Sequence, residues 1–222
     1  MSDVEVHLIE TTVRGRYLLR PAAGDPVGLL VGFHGYGETA ASHLAALLEI
    51  PGVESWTVAS IQGLHPFYTR SGDVVASWMT KLDREEAIED NLAYVRAAVA
   101  EILAAAGISG PLVYAGFSQG VAMAYRAAAG AGHLCDGLIA LAGDVPPELA
   151  ELDLGGFPPV LIGRGTGDSW YSEEKLTDDV LLLREKGIQV EFERFEGGHE
   201  WTAVFHRQCA AMLSGLSSGS EA

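Results

Sequence analysis

Residues Gly116-Phe117-Ser118-Gln119-Gly120 stand between an apolar run, Leu112-Val113-Tyr114-Ala115, and a helical pattern that opens Val121-Ala122-Met123-Ala124-Tyr125. A G-x-S-x-G pentapeptide at a strand-to-helix junction makes a turn so sharp that its serine is pushed into strained backbone angles. The hydroxyl then stands above the end of a sheet, and the following N–H points into the same space. The flanking glycines are required because side chains there would strike the neighbouring strand and helix. The pentapeptide alone is weak, so its context has to carry the reading.

That context alternates short apolar runs with longer helical patterns. Strand candidates are Val4–Ile9, Tyr17–Arg20, Val27–Phe33, Trp56–Ile61, Leu112–Ala115, Gly137–Leu141, Val160–Gly163 and Gln189–Phe195. The central ones are continuously apolar, as strands covered on both faces should be. The last alternates Val190 and Phe192 with Glu191 and Glu193, as near a sheet edge. Helices are predicted at 41–48, from an Asp83 cap with Glu86 in the capping-box position to about Ala106, and at 119–129, 172–186 and 201–213. A short helix is expected near 146–152, and the Ser/Gly-rich tail from Ser214 to Ala222 is expected to fray. Alternating strands and helices imply a mainly parallel eight-stranded sheet, in one domain of 222 residues. In such sheets ligands bind beyond the carboxyl ends of the strands.

The residues that carry chemistry fall at those ends. A serine nucleophile needs a base, and the base needs an orienting group. His199 follows the last strand within Gly197-Gly198-His199-Glu200-Trp201, and Asp168 follows the preceding one within Gly163-Arg164-Gly165-Thr166-Gly167-Asp168. The chain order Ser118, Asp168, His199 is that of α/β-hydrolases. Asp144, after Leu141-Ala142-Gly143, is a rival acid whose structural alternative is a helix cap. An oxyanion needs backbone donors in place. The N–H of Gln119 is one, and His34-Gly35-Tyr36-Gly37, a shortened relative of the HGGG loop, offers that of Tyr36. His65, Phe67, Trp78 and Met79 lie in the long connection 62–82, as either surface packing or substrate-pocket residues.

Taken together, these motifs resemble the phospholipase/carboxylesterase family of α/β-hydrolases, which includes acyl-protein thioesterases. The resemblance spans about residues 4 to 214. It is nearest to bacterial esterase-like members through His34-Gly35-Tyr36-Gly37-Glu38, Gly116-Phe117-Ser118-Gln119-Gly120, Gly197-Gly198-His199-Glu200-Trp201 and Val75-Ala76-Ser77-Trp78-Met79-Thr80. Met79-Thr80 replace the Phe-Asp that tends to follow this tryptophan in the thioesterase-like branch. The resemblance implies an α/β-hydrolase fold without a large cap, and a catalytic triad of Ser118, Asp168 and His199. It also implies Tyr36 and Gln119 as oxyanion donors, and hydrolysis of small-molecule carboxylic esters without metal or organic cofactor. Acyl-thioesterase, lysophospholipase and a non-catalytic binding module on the same fold are the alternatives.

Composition narrows the partners. A net charge of −16, from 14 Lys+Arg against 30 Asp+Glu, disfavours nucleic acid and anionic membrane surfaces. No apolar run reaches the length of a membrane span. The acidic start, Met1 to Glu5, lacks a signal-peptide layout. Two cysteines, Cys135 and Cys209, read as reduced buried thiols of a cytoplasmic protein. Gly35-Tyr36-Gly37-Glu38-Thr39-Ala40 formally matches a dinucleotide fingerprint, but the next strand ends Ser60-Ile61-Gln62 without the acid such a site wants. His199-Glu200 would begin a zinc helix only with a histidine where Ala203 stands, so no metal site is expected.

Overall fold

The computed structural model describes residues 4–218. Seven strands form one sheet: β1 (Tyr17–Arg20), β2 (Leu29–Phe33), β3 (Thr57–Ile61), β6 (Leu112–Phe117), β7 (Gly137–Leu141), β8 (Val160–Gly165) and β9 (Val190–Phe195). Their spatial order is β1-β3-β2-β6-β7-β8-β9, and β4 (His65–Tyr68) and β5 (Val74–Ser77) make a separate hairpin. Only β1 runs antiparallel to its neighbour; the rest of the sheet is parallel. Helices α1 (Ala40–Leu48), α2 (Arg84–Ala106), α3 (Gln119–Gly130), α4 (Glu173–Glu185) and α5 (Ala203–Ser218) cover both faces.

The apolar runs explain the layering. Alternate residues of a strand point to opposite faces. Leu29, Val31 and Phe33 of β2, with Tyr114 of β6, pack against Val95 and Val99 of α2, Val121 of α3 and Leu176 of α4. Leu30, Val113 and Ala115 pack on the other face with Leu47 of α1 and Phe205, Cys209 and Leu213 of α5. Both cysteines are free and buried.

Several expectations need correction. Val4–Ile9 forms no strand, so the sheet has seven strands, not eight; Val4, Val6 and Ile9 are 84–90% exposed. Their alternation is local and finds no neighbouring edge. Asp83 precedes α2, but in the left-handed region (φ 47°, ψ 50°), and its side chain makes no cap hydrogen bond, so the Asp83–Glu86 box does not form. The capping box that does form belongs to Thr39 and Ser42 at the start of α1. β9 does lie at the sheet edge, as its alternation suggests, but Phe192 is exposed, with Arg194 and Arg184 of α4 over its ring at 4.6 and 5.9 Å from the centroid. The expected fraying from Ser214 is not seen through Ser218, where α5 ends, and 219–222 lie outside the described residues.

One contact fixes the centre of the fold. Gly120, in the first turn of α3, lies against the end of β2 so closely that an added Cβ would sit 1.9 Å from the Phe33 carbonyl oxygen. Neither backbone has room to yield. Gly120→Ala is therefore expected to cost about 3 kcal/mol or more. Urea unfolding checks this, and a near-wild-type midpoint would overturn it.

Candidate active site

The first component is the turn from β6 to α3. Ser118 has φ 52° and ψ −120°, outside the usual regions for a side-chain-bearing residue. Its N–H donates to the Leu141 carbonyl at the end of β7 (2.9 Å), and its carbonyl accepts from Val121 N (3.0 Å). A Cβ at Gly116 would meet the Gly120 carbonyl oxygen at 2.5 Å, so strand and helix close on each other only without side chains there.

The second component is a pair of loops after β8 and β9. Thr166 N donates to the Phe195 carbonyl, and Gly167 N to that of Gly197, each at 2.8 Å. These bonds fasten the two loops side by side and carry Asp168 to His199. Asp168 Oδ2 lies 2.8 Å from His199 Nδ1. Asp168 Oδ1 accepts from Trp170 N (2.8 Å) and Tyr171 N (3.0 Å). Three N–H groups thus converge on a carboxylate that is 0% exposed. Because that carboxylate is an acceptor, the imidazole proton belongs on Nδ1, which leaves the Nε2 lone pair free. Arg164, itself buried, braces the loop by donating to the Tyr171 carbonyl at 2.8 Å. Asp144 lines the same cavity, but its carboxylate pairs with Lys175 at 3.1 Å and makes no hydrogen bond to His199.

Ser118 and His199 line one cavity of about 350 Å³ at the carboxyl ends of β6 to β9. Among the described residues no hydrogen bond joins their side chains; such bonds are often long in unliganded enzymes and tighten with substrate. Hollows of 620 and 670 Å³ exist elsewhere; Ser109, His133 and Asp136 line the first but are not bonded to one another, His133 Nε2 meeting the Arg96 carbonyl and Asp136 accepting from Leu112 N. Among the described residues, no group of His, Cys, Asp and Glu is arranged to hold a metal ion, and no helix is long and apolar enough to cross a membrane.

The third component is the loop after β2, whose scaffold was not foreseen. Gly37 N donates to the Ala76 carbonyl (3.0 Å) and Ala76 N to that of Glu38 (2.9 Å), so the β4–β5 hairpin holds this loop as a neighbouring strand would. The Glu38 carboxylate accepts from Gly35 N at 2.8 Å; burial raises its pKa, and that hydrogen bond and His199 pull the other way. His34 is fully buried; its Nε2 accepts from Gly63 N (2.9 Å), and Nδ1 donates to the Gly35 carbonyl (2.7 Å). That pairing defines a neutral ring, in keeping with a pKa lowered by burial. Tyr36 N and Gln119 N have no protein acceptor among the described residues.

The Gln119 side chain ties loop to elbow. Its Oε1 accepts from Trp78 N (3.0 Å) and the Ser77 hydroxyl (3.2 Å), and its Nε2 donates to the Met79 carbonyl (3.0 Å). Trp78 Nε1 donates in turn to the His34 carbonyl at 2.8 Å. Trp78, 0% exposed, therefore backs the wall, while Met79 also lines it. His65 and Phe67 do not reach this cavity; they lie on the hairpin, where the Phe67 ring packs on Tyr36 at 5.3 Å.

No family model and no curated protein matches the sequence. Solved structures do. Esterase PE8 superposes with a TM-score of 0.76 at 21% identity, covering 92% of this chain and all of that one. A carboxylesterase from Mesorhizobium loti gives 0.75 at 20% identity, over 90% and 95%. Zea mays acyl-protein thioesterase 2 gives 0.65 at 20%, over 92% and 100%. At these identities the likeness is one of architecture. The chain has the α/β-hydrolase fold, with a mostly parallel seven-stranded sheet flanked by helices and, among the described residues, no large cap.

Asp179 of α4 braces the cavity wall: its Oδ2 accepts from the Tyr171 hydroxyl (2.8 Å) and Val145 N (3.1 Å). Burial raises its pKa to about 6. The folded state thus holds this proton more tightly than the unfolded chain, and wild-type stability is lost as pH rises toward 6. Asn can keep both hydrogen bonds without ionising. Asp179→Asn is expected to gain stability relative to wild type between about pH 4 and 6. Parallel melting curves across that range would contradict it.

Proposed function

We propose that this protein is a serine hydrolase that cleaves carboxylic esters through an acyl-enzyme. The observation that carries the reading is a serine in a strained strand-to-helix turn sharing one cavity with a histidine whose other nitrogen is held by a buried aspartate. Unrelated packing demands do not explain why three costly features meet at one point: positive φ, a buried carboxylate and a histidine of fixed tautomer.

In the proposed mechanism, His199 Nε2 takes the Ser118 proton as Oγ attacks the ester carbonyl. Asp168 keeps the imidazole in its tautomer and stabilises the imidazolium. The oxyanion accepts from Gln119 N and Tyr36 N, each donor being worth about 3 kcal/mol in the transition state. His199 then returns its proton to the departing alkoxide, and the alcohol leaves. Water, deprotonated by the same nitrogen, attacks the acyl carbonyl; the acid departs and Ser118 recovers its proton. The residues in direct contact with the reaction supply all proton transfers.

The esterase and thioesterase names among the structural neighbours support ester or thioester chemistry without choosing between them. The cavity volume of about 350 Å³ favours short acyl groups over a lysophospholipid chain. We place the reaction in the cytoplasm, a reading supported by two unpaired, buried cysteines.

Ser118→Ala is expected to abolish turnover of short p-nitrophenyl esters with an unchanged circular dichroism spectrum; esterase activity surviving in that variant would refute the proposal. A fluorophosphonate probe is expected to label Ser118, which a mere binding module would not permit. Asp168→Asn is expected to lower kcat by about 10⁴. If Asp144→Asn causes the larger loss, the acid has been misassigned.

A further inference from the structure

Arg126 sits two turns along α3 from the nucleophile, and Ser118, Ala122 and Arg126 line one side of the cavity at i, i+4 and i+8. The Arg126 side chain is 6% exposed. A guanidinium so placed needs acceptors, and it has few. Its Nε donates to Glu148 Oε1 at 2.6 Å. Glu148 is itself shared, its other oxygen accepting from Arg84 at 3.1 Å. Nη1 meets only the Met79 sulfur, at 3.7 Å, and a thioether is a weak acceptor. Nη2 has no protein acceptor among the described residues.

The ion pair to Glu148 thus satisfies the inner edge of the guanidinium. The outer edge, Nη1 with Nη2, is the pair that receives a carboxylate in two parallel hydrogen bonds. It is unmatched in a wall of the cavity that holds Ser118. A strut between α3 and the 147–151 turn needs only the carboxylate on Nε; the outer donors, in the cavity wall, are left to a ligand or to solvent. The distance suits a short spacer. Eight residues of helix separate the two backbones by about 12 Å, and helical side chains lean toward the N-terminus, which shortens the gap. Ala122 leaves the floor between them low. The chain held there belongs to the acyl part, because the acyl carbon becomes bonded to Ser118 whereas the leaving group must face His199 for its proton.

We infer that the esters cleaved are half-esters of short dicarboxylic acids, whose free carboxylate is held by the outer edge of Arg126. Ester plus water yields the dicarboxylate, the alcohol and one proton. The inference rests on the ester-hydrolase reading and names its substrate class.

The test compares two substrates of matched length and leaving group, 4-nitrophenyl hydrogen glutarate and 4-nitrophenyl methyl glutarate. Wild type is expected to favour the charged ester in kcat/KM by about ten-fold or more, as charge-assisted hydrogen bonds allow. Arg126→Met is expected to erase that ratio, and Arg126→Lys, which keeps the charge and the contact with Glu148 but lacks the planar fork, to reduce it. A wild-type ratio of one or less overturns the inference whether or not the variants fold, as does a ratio that survives in Arg126→Met. Calorimetric titration of glutarate into Ser118→Ala reads the same contact without chemistry: binding that Arg126→Met removes supports it, and no binding overturns it. Failure of the parent reading looks different, since then neither ester turns over and the fluorophosphonate leaves Ser118 unlabelled.

Discussion

Backbone crowding around the β6–α3 turn is the constraint on which the rest of this structure depends. Three chain segments meet at Ser118, and at each a Cβ would collide: at Gly116 with the first turn of α3, at Gly120 with the end of β2, and at Gly143 with the Ser118 carbonyl oxygen at 2.4 Å. The same crowding places the helix start beneath the serine. Strain in the Ser118 backbone, of order 1–3 kcal/mol, persists because strands on both sides over-determine the turn. Relaxing it would require β2, β6 and β7 to move apart, and their side chains form the most buried part of both core layers.

Much of this was legible in the chain because it is written in short-range pattern. Continuous apolar runs marked the parallel strands, and glycine spacing marked the turns at 116–120 and 197–198. The loop positions that follow from strand order then placed Ser118, Asp168 and His199 at one end of the sheet. Where local pattern was the only guide, it misled. Val4 to Ile9 alternates like a strand but has no partner, and Asp83 has the composition of a cap but not its backbone angles. The supporting residues were illegible for a related reason. His34 takes its meaning from Gly63, Gln119 from Trp78 and Met79, and Arg126 from Glu148. These pairings join residues 22 to 41 apart, and no periodicity or spacing rule announces them.

The electrostatics of the site run against those of the molecule. The chain carries −16 overall, yet the cavity walls include Arg126 and Lys175 against one carboxylate, Asp144, which pairs with Lys175. A negative surface potential falls off within about a Debye length in physiological salt, whereas a guanidinium removed from water acts at short range with little screening. For an anion of the kind inferred above, long-range repulsion would weigh on encounter and short-range pairing on residence, and added salt would relieve the first more than the second.

The loop that presents Tyr36 takes its shape from the hairpin beside it rather than from its own sequence alone. The hairpin's free end, near residues 69–73, faces water, while its base is stitched to residues 37 and 38. Evolution can therefore lengthen, shorten or recharge that outer end without disturbing the contacts at residues 37 and 38. A lineage could remodel one dispensable ribbon and inherit the fold beneath it intact.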